Sequence, residues 1–155
     1  MFVRNNIPPF FVEWVFFCIF VFMIFKYTQP KKIGDIRCDK DCMVRAVTNI
    51  TKEEYTKVHK LMYGHGWRAT RKRSDKKWEK QITNTLDDMG VKWERVSFPA
   101  VKGKKRMTAN TLSELDPKGK YIIRVAKHVA ALSGDTLLDT WDCSDKCVYF
   151  AWKIG

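Results

Sequence analysis

Charged residues are almost absent from the start of this 155-residue chain, whose first 25 residues contain only Arg4 and Glu13. The same segment holds eight of the ten phenylalanines, so the remainder has very few. Acidic residues are scarce overall: 17 Asp and Glu stand against 29 Lys and Arg, which gives a net charge of +12. The 45% of hydrophobic residues excludes a wholly disordered chain. The chain therefore divides into an apolar segment, residues 1–25, and a basic remainder.

The apolar segment predicts a membrane-spanning helix over residues 7–25. As a helix it would be about 28 Å long, close to the ~30 Å hydrocarbon core of a bilayer. No small-x-small pattern follows Phe25, which argues against a cleaved signal peptide. One cation precedes the segment and five follow it as far as Lys40, so the positive-inside rule places the following domain in the cytoplasm. The alternatives are an interfacial helix and a helix buried in an assembly, such as a virion.

The remainder predicts a basic linker over residues 26–37 and one domain over residues 38–155. Helical periodicity begins at residues 41–42, at Tyr55 and at residues 74–75, and a short helix is indicated over residues 107–115. Apolar or alternating runs then predict strands over residues 91–96, 121–125, 128–132, 136–141 and 148–152. Helices followed by an antiparallel meander indicate an α+β fold, preceded here by the hydrophobic helix.

Three residues in this pattern are suited to nucleophilic catalysis: Cys42, His128 and Asp139. Cys42 opens the first predicted helix, where unpaired N–H groups and the helix dipole favour a thiolate. If residues 133–134 are the hairpin loop, His128 and Asp139 are direct cross-strand partners; if residues 134–135 are the loop, they are diagonal neighbours. In both registers Asp139 can orient the imidazole while the other ring nitrogen takes the thiol proton.

The order of these motifs resembles the papain-like cysteine peptidase superfamily, in particular compact members found in phages and bacteria. The resemblance is carried by three segments and covers roughly residues 35–152. The segments are DCMVRA at residues 41–46, KHVAAL at residues 127–132 and DTW at residues 139–141. The resemblance implies helices packed on a C-terminal antiparallel sheet, in the arrangement of the papain-like fold.

By the same resemblance, Cys42 would be the nucleophile, His128 the general base and acid, and Asp139 the orienting residue, which a tryptophan shields from water. Larger family members carry an oxyanion-stabilising Gln about six residues before the nucleophile, where this chain has Ile36. Gln29, thirteen residues upstream in the linker, is a poor substitute. The oxyanion hole would then rest on the Cys42 backbone N–H and on a second donor that the sequence does not identify.

This chemistry requires no cofactor and no metal, and we expect neither. The pairs Cys38–Cys42 and Cys143–Cys147 each have C-x3-C spacing, so a four-thiol zinc site that consumes Cys42 is the alternative. Cys143 and Cys147 would form a disulfide only if the domain were exported. Asp142 is the alternative orienting carboxylate.

The leading hypothesis is a membrane-anchored papain-like thiol hydrolase that cleaves an amide or peptide bond in a protein or peptide substrate. Two basic runs, at residues 68–77 and 102–106, are expected to lie in solvated loops. The alternatives are that they contact anionic lipid, or that they contact nucleic acid without sequence specificity. The alternative is a catalytically inactive membrane- or virion-associated interaction protein that uses the apolar helix and the basic runs.

Overall fold

The computed structural model describes residues 23–30, 40–68 and 75–155. Within these residues the chain forms four helices and six strands, in the order β1 (Ile24–Tyr27), α1 (Cys42–Thr51), α2 (Tyr55–Gly64), α3 (Asp75–Asp88), β2 (Trp93–Ser97), α4 (Ala109–Leu115), β3 (Lys120–Val125), β4 (His128–Ser133), β5 (Thr136–Asp139) and β6 (Phe150–Ile154). The strands form a sheet in the order β1-β5-β4-β3-β6-β2. The predicted α+β fold is confirmed. The sheet is mixed rather than antiparallel, because β1 runs parallel to β5.

Helix α1 begins at Cys42, as predicted, and is buried on nearly all sides. Eight of its ten residues are buried, because the helix packs on β4 and also contacts α2 and α3. The helix ends at Thr51, and the following Lys52 donates its N–H to the Thr48 carbonyl and takes a left-handed φ of 62°, which turns the chain out of the helix. These contacts hold α1, and therefore its first residue, in a fixed position against the sheet.

The sheet buries hydrophobic side chains on both faces. Val129 and Ala131 of β4 belong to a cluster with α1, α2 and α3, whereas Ala130 and Leu132 belong to a second cluster with α4. This alternation follows from the two-residue period of a strand. Three helices therefore cover one face of the sheet, and α4 covers part of the other.

The hairpin between β4 and β5 turns at residues 134–135. Ser133 pairs with Thr136, and Gly134 has a φ of 61°, which suits the first central residue of a type II′ turn. The direct pairing of His128 with Asp139 is therefore wrong, and the diagonal arrangement is found instead.

Strand β1 occupies residues that the sequence analysis assigned to the apolar helix (24–25) and to the linker (26–27). It pairs with β5 so that Tyr27 lies beside Asp139, and all four of its residues are exposed. No helix among the described residues has the length and apolar character needed to cross a membrane. Residues 7–22 of the predicted helix and residues 31–37 of the predicted linker lie outside the described residues.

Replacing Gly134 with Ala is expected to lower the free energy of unfolding by about 2–3 kcal/mol. An added Cβ would lie 2.9 Å from the backbone oxygen of Pro117, and the positive φ adds strain. Gly103→Ala is the matched control, since Gly103 has a φ of 76° but open space around it. Urea denaturation should show a loss of only about 1 kcal/mol for this control. Equal losses would mean that the contact with Pro117 contributes nothing.

Candidate active site

The structure brings the three predicted catalytic residues together at one end of the sheet. Strand β4 begins with His128 and the antiparallel β5 ends with Asp139, so both lie at the same end. His128 Nε2 is hydrogen-bonded to Asp139 Oδ2, and the Cys42 thiol lies close enough to the His128 side chain to raise the pKa of the imidazole. Because Nε2 faces Asp139, Nδ1 is the ring nitrogen available to the thiol.

The electrostatic environment of His128 favours its protonated form. Burial disfavours the imidazolium, but the hydrogen bonds to Asp139 and Cys42, together with the charges of both, raise the pKa of His128 to about 9. Only 12% of the side chain is exposed, so solvent screens these interactions weakly. A thiolate at Cys42 would therefore face an imidazolium at neutral pH.

Asp139 is held as a buried carboxylate, with 2% of its surface exposed. Its Oδ1 accepts the Thr140 N–H at 2.7 Å and lies 3.7 Å from Arg45 Nη2. Asp142, the alternative orienting residue, is exposed and accepts a backbone N–H of its own loop. Of these two carboxylates, Asp139 is the one that contacts the imidazole.

Trp141 covers the hydrogen bond between His128 and Asp139. Its Nε1 lies 3.1 Å from His128 Nε2, the nitrogen that also contacts Asp139, and the two rings are 5.2 Å apart. The indole is 41% exposed, so it lies between this bond and solvent rather than in the core.

Gln29 lies nearer the site than its distance along the chain suggests. Strand β1 continues past Tyr27 with the Thr28 N–H donating to the Asp139 carbonyl at 2.8 Å, and Gln29 follows directly. The Gln29 side-chain oxygen accepts from the Tyr27 hydroxyl at 2.9 Å, which leaves the amide N–H groups as donors. Ile36, at the position of the family's glutamine, is outside the described residues.

Arg45 was not assigned to this region from the sequence, and Cys143 was considered only for a zinc site or a disulfide. Arg45 bridges Asp41 and Asp139, and the signal for it was its spacing of four residues from Asp41 at the start of a helix. Cys143 is fully buried, and burial and the charge of Asp139 raise the pKa of its thiol to about 12. Cys143 is therefore a neutral thiol beside the site.

Among the described residues, one group has the geometry to hold a metal ion: the side chains of His128, Asp139 and Cys143, whose ligand atoms all lie within 4.8 Å of one another. Nitrogen, oxygen and sulfur donors of this kind suit zinc. The group includes neither Cys42 nor Cys147, and Cys38 lies outside the described residues, so nothing described supports the four-thiol site. In this structure His128 and Asp139 are hydrogen-bonded to each other.

The other two histidines have separate surroundings. His59 stacks between Tyr55 and Tyr63, with ring centroids 6.1 and 6.2 Å away, and burial lowers its pKa. His65 Nε2 lies 2.7 Å from an Asp88 carboxylate oxygen. Neither ring contacts Cys42, His128 or Asp139 through these interactions.

Comparisons with models of protein families, with curated proteins and with solved structures find no match to this chain. The chemistry of the site is therefore inferred from its own geometry. That geometry brings together a thiol at a helix N-terminus, an imidazole close to it, and a buried carboxylate that is hydrogen-bonded to the imidazole.

Replacing Asp139 with Asn is expected to lower the pKa of His128 from about 9 by more than one unit. The substitution removes the negative charge that favours the imidazolium, while the burial that disfavours it remains. NMR titration of the ring protons measures the pKa directly, and the chain has only three histidines to assign. Asp142→Asn is the matched control and should leave the titration of His128 unchanged; the opposite pattern would make Asp142 the orienting residue.

Proposed function

We propose that this chain is a papain-like thiol hydrolase that cleaves amide or peptide bonds through Cys42, His128 and Asp139. The proposal is carried by one observation: the His128 ring is hydrogen-bonded to the buried carboxylate of Asp139 and lies close enough to Cys42 for the thiol to raise the pKa of the imidazole. Each proposed role fits the environment of its residue. Cys42, the nucleophile, is the first residue of a helix; His128, the acid and base, is an imidazole; and Asp139, the orienting group, is buried.

The proposed reaction proceeds in two halves. The Cys42 thiolate attacks the amide carbonyl carbon, a C–S bond forms, and the imidazolium of His128 gives its proton to the leaving nitrogen as the C–N bond breaks. His128, now neutral, takes a proton from water, whose oxygen attacks the thioester carbonyl. The C–S bond then breaks, the acid is released, and the thiolate–imidazolium pair is restored.

The start of helix α1 supports stabilisation of the oxyanion formed in each half. The first backbone hydrogen bond of the helix runs from the Arg45 N–H to the Asp41 carbonyl, at 3.0 Å. The Cys42 N–H precedes this bond, so the helix ladder does not use it. We propose it as one oxyanion donor, and the amide of Gln29 is a candidate for the second.

Iodoacetamide should alkylate Cys42 at pH 7 about 10-fold faster in the wild-type protein than in His128→Ala, because the imidazolium stabilises the thiolate. Peptide mass spectrometry separates Cys42 from the other thiols, and the protonated Cys143 should stay unlabelled. His65→Ala is the matched control and should react like the wild type. In parallel, Cys42→Ser should abolish cleavage of a fluorogenic peptide library. Equal labelling of wild type and His128→Ala would contradict the activated thiolate.

We further propose that the apolar segment anchors the enzyme in a membrane, with the domain on the cytoplasmic side. Ile24, Phe25 and Tyr27 of β1 are exposed by 55, 36 and 62%. The first two are the last residues of the apolar run over residues 7–25, and Tyr27 follows it closely. Exposed apolar side chains at this point favour contact with lipid or with another apolar partner. The same feature supports the second candidate, an inactive interaction protein attached to a membrane or virion.

The full-length protein should float with phosphatidylcholine vesicles, and deletion of residues 2–22 should abolish this co-flotation, because the apolar segment supplies the affinity for the bilayer. Reversing the charge of the exposed basic run at residues 102–106 is the comparison. It should weaken binding only to vesicles that contain anionic lipid. Vesicle binding that survives the deletion would contradict the anchor. Binding without any cleavage or thiol activation would favour the interaction protein.

A further inference from the structure

A buried ionic bridge lies directly behind the proposed triad and joins two elements of the fold. Arg45, on α1, pairs through Nη1 with Asp41 Oδ1. Its Nη2 lies 3.3 Å from Thr140 Oγ1 and 3.7 Å from Asp139 Oδ1, both at the end of β5. The Arg45 side chain is 13% exposed, so these interactions take place largely away from water.

Asp41 anchors the helix end of this bridge. It is completely buried and directly precedes Cys42 in the chain. Its second carboxylate oxygen accepts the Tyr55 hydroxyl at 2.7 Å, which ties the start of α1 to α2. A buried carboxylate with two partners in fixed positions holds the backbone beside it in place.

Asp139 anchors the strand end. Its Oδ2 contacts His128, while its Oδ1 accepts the Thr140 N–H at 2.7 Å and faces Arg45. The guanidinium therefore lies on the oxygen that His128 does not use. It opposes rotation of the carboxylate without competing for the imidazole.

We propose that Arg45 is a positioning residue that holds Cys42 and the His128–Asp139 pair at their working separation by bridging Asp41 to Asp139 and Thr140. The inference rests on the proposed thiol hydrolase. Arginine suits this task because its planar fork reaches two acceptors at once, whereas lysine presents a single point charge. Arg45 touches none of the reacting atoms, and it acts through the groups that do.

Two effects of Arg45 can be separated by substitution, one geometric and one electrostatic. Arg45→Lys keeps the charge but loses the fork, whereas Arg45→Met loses both. Removing a positive charge favours the imidazolium of His128, so the pH profile of the reaction should move to higher pH. The charged and titratable groups on the elements packed around His128 come from several parts of the fold. They are Asp41, Cys42 and Arg45 of α1, Lys127 before β4, Arg124 of β3, whose Nη1 lies 3.3 Å from the His128 carbonyl oxygen, Tyr27 of β1 beside Asp139 of β5, and Asp142 and Cys143 of the following loop.

The experiment measures the rate constant of Cys42 alkylation against pH in the full-length protein, together with kcat and KM for any cleaved peptide. Arg45→Met should lower the rate about 100-fold and move the profile up by about one pH unit, with KM unchanged. Arg45→Lys should lower the rate while keeping the wild-type profile. Thr140→Val, which removes one arm of the fork and no charge, should lower it about 5-fold. Arg95→Met is the matched control, because Arg95 of β2 pairs with Glu79 of α3. It should change neither the alkylation rate of Cys42 nor the pH profile.

Wild-type rates and profiles in folded Arg45→Met would overturn the proposal. If that variant fails to fold, Arg45→Lys and Thr140→Val decide, and wild-type rates in both would overturn it. A third outcome would also overturn the proposal: Arg45→Met is alkylated more slowly with an unchanged pH profile, while Arg45→Lys is alkylated at the wild-type rate. Arg45 would then only stabilise the fold. His128→Ala is measured in parallel. If Cys42 of His128→Ala is alkylated like that of the wild type, the proposed thiol hydrolase is contradicted. If only the Arg45 variants are alkylated like the wild type, the positioning role of Arg45 alone is contradicted.

Discussion

The buried negative charge of Asp139 is the constraint on which this end of the molecule depends. A carboxylate that is 2% exposed must be compensated within the protein, because burial removes its hydration. Compensation comes from His128 on β4, Arg45 on α1 and the N–H of Thr140. Three parts of the chain therefore converge on one carboxylate. Cys42 lies about one helical turn before Arg45, so the contact that neutralises Asp139 also brings the sulfur to the imidazole.

The helices and most strands could be predicted from the sequence because their periodicity is local. Helix α1 begins at Cys42 and the His128–Asp139 pair lies on one hairpin, both as predicted. The loop lies one residue further along the chain than in the direct-pairing register, which shifts the pairing by two residues, because the choice between turns depends on a non-local contact. Gly134 donates its N–H to the Gly119 carbonyl at 2.8 Å, and this partner is fifteen residues away. Since one sheet face carries both side chains in either register, the site survived the error.

Strand β1 and the role of Arg45 could not be predicted in the same way. Residues 24–27 contain two exposed aromatic side chains and a lysine, and no pattern within them indicates a partner 112 residues further along the chain. The ionic bridge likewise joins Arg45 to residues 94 and 95 positions away. The i,i+4 spacing of Asp41 and Arg45 indicates a helix-surface ion pair, which usually contributes little. Only the fold buries this pair and gives it a second acceptor.

Two buried cysteines, Cys42 and Cys143, lie at this end of the sheet in different surroundings. Cys143 is fully buried near the negative charge of Asp139, and the pKa of its thiol is about 12. Cys42 is also buried, but it lies at a helix N-terminus and close to an imidazole whose pKa is about 9. Metal binding through Cys143 would have to displace a tightly held proton and break the His128–Asp139 hydrogen bond. The attack proposed for Cys42 needs neither change, which supports the proposed thiol chemistry over metal coordination at this site.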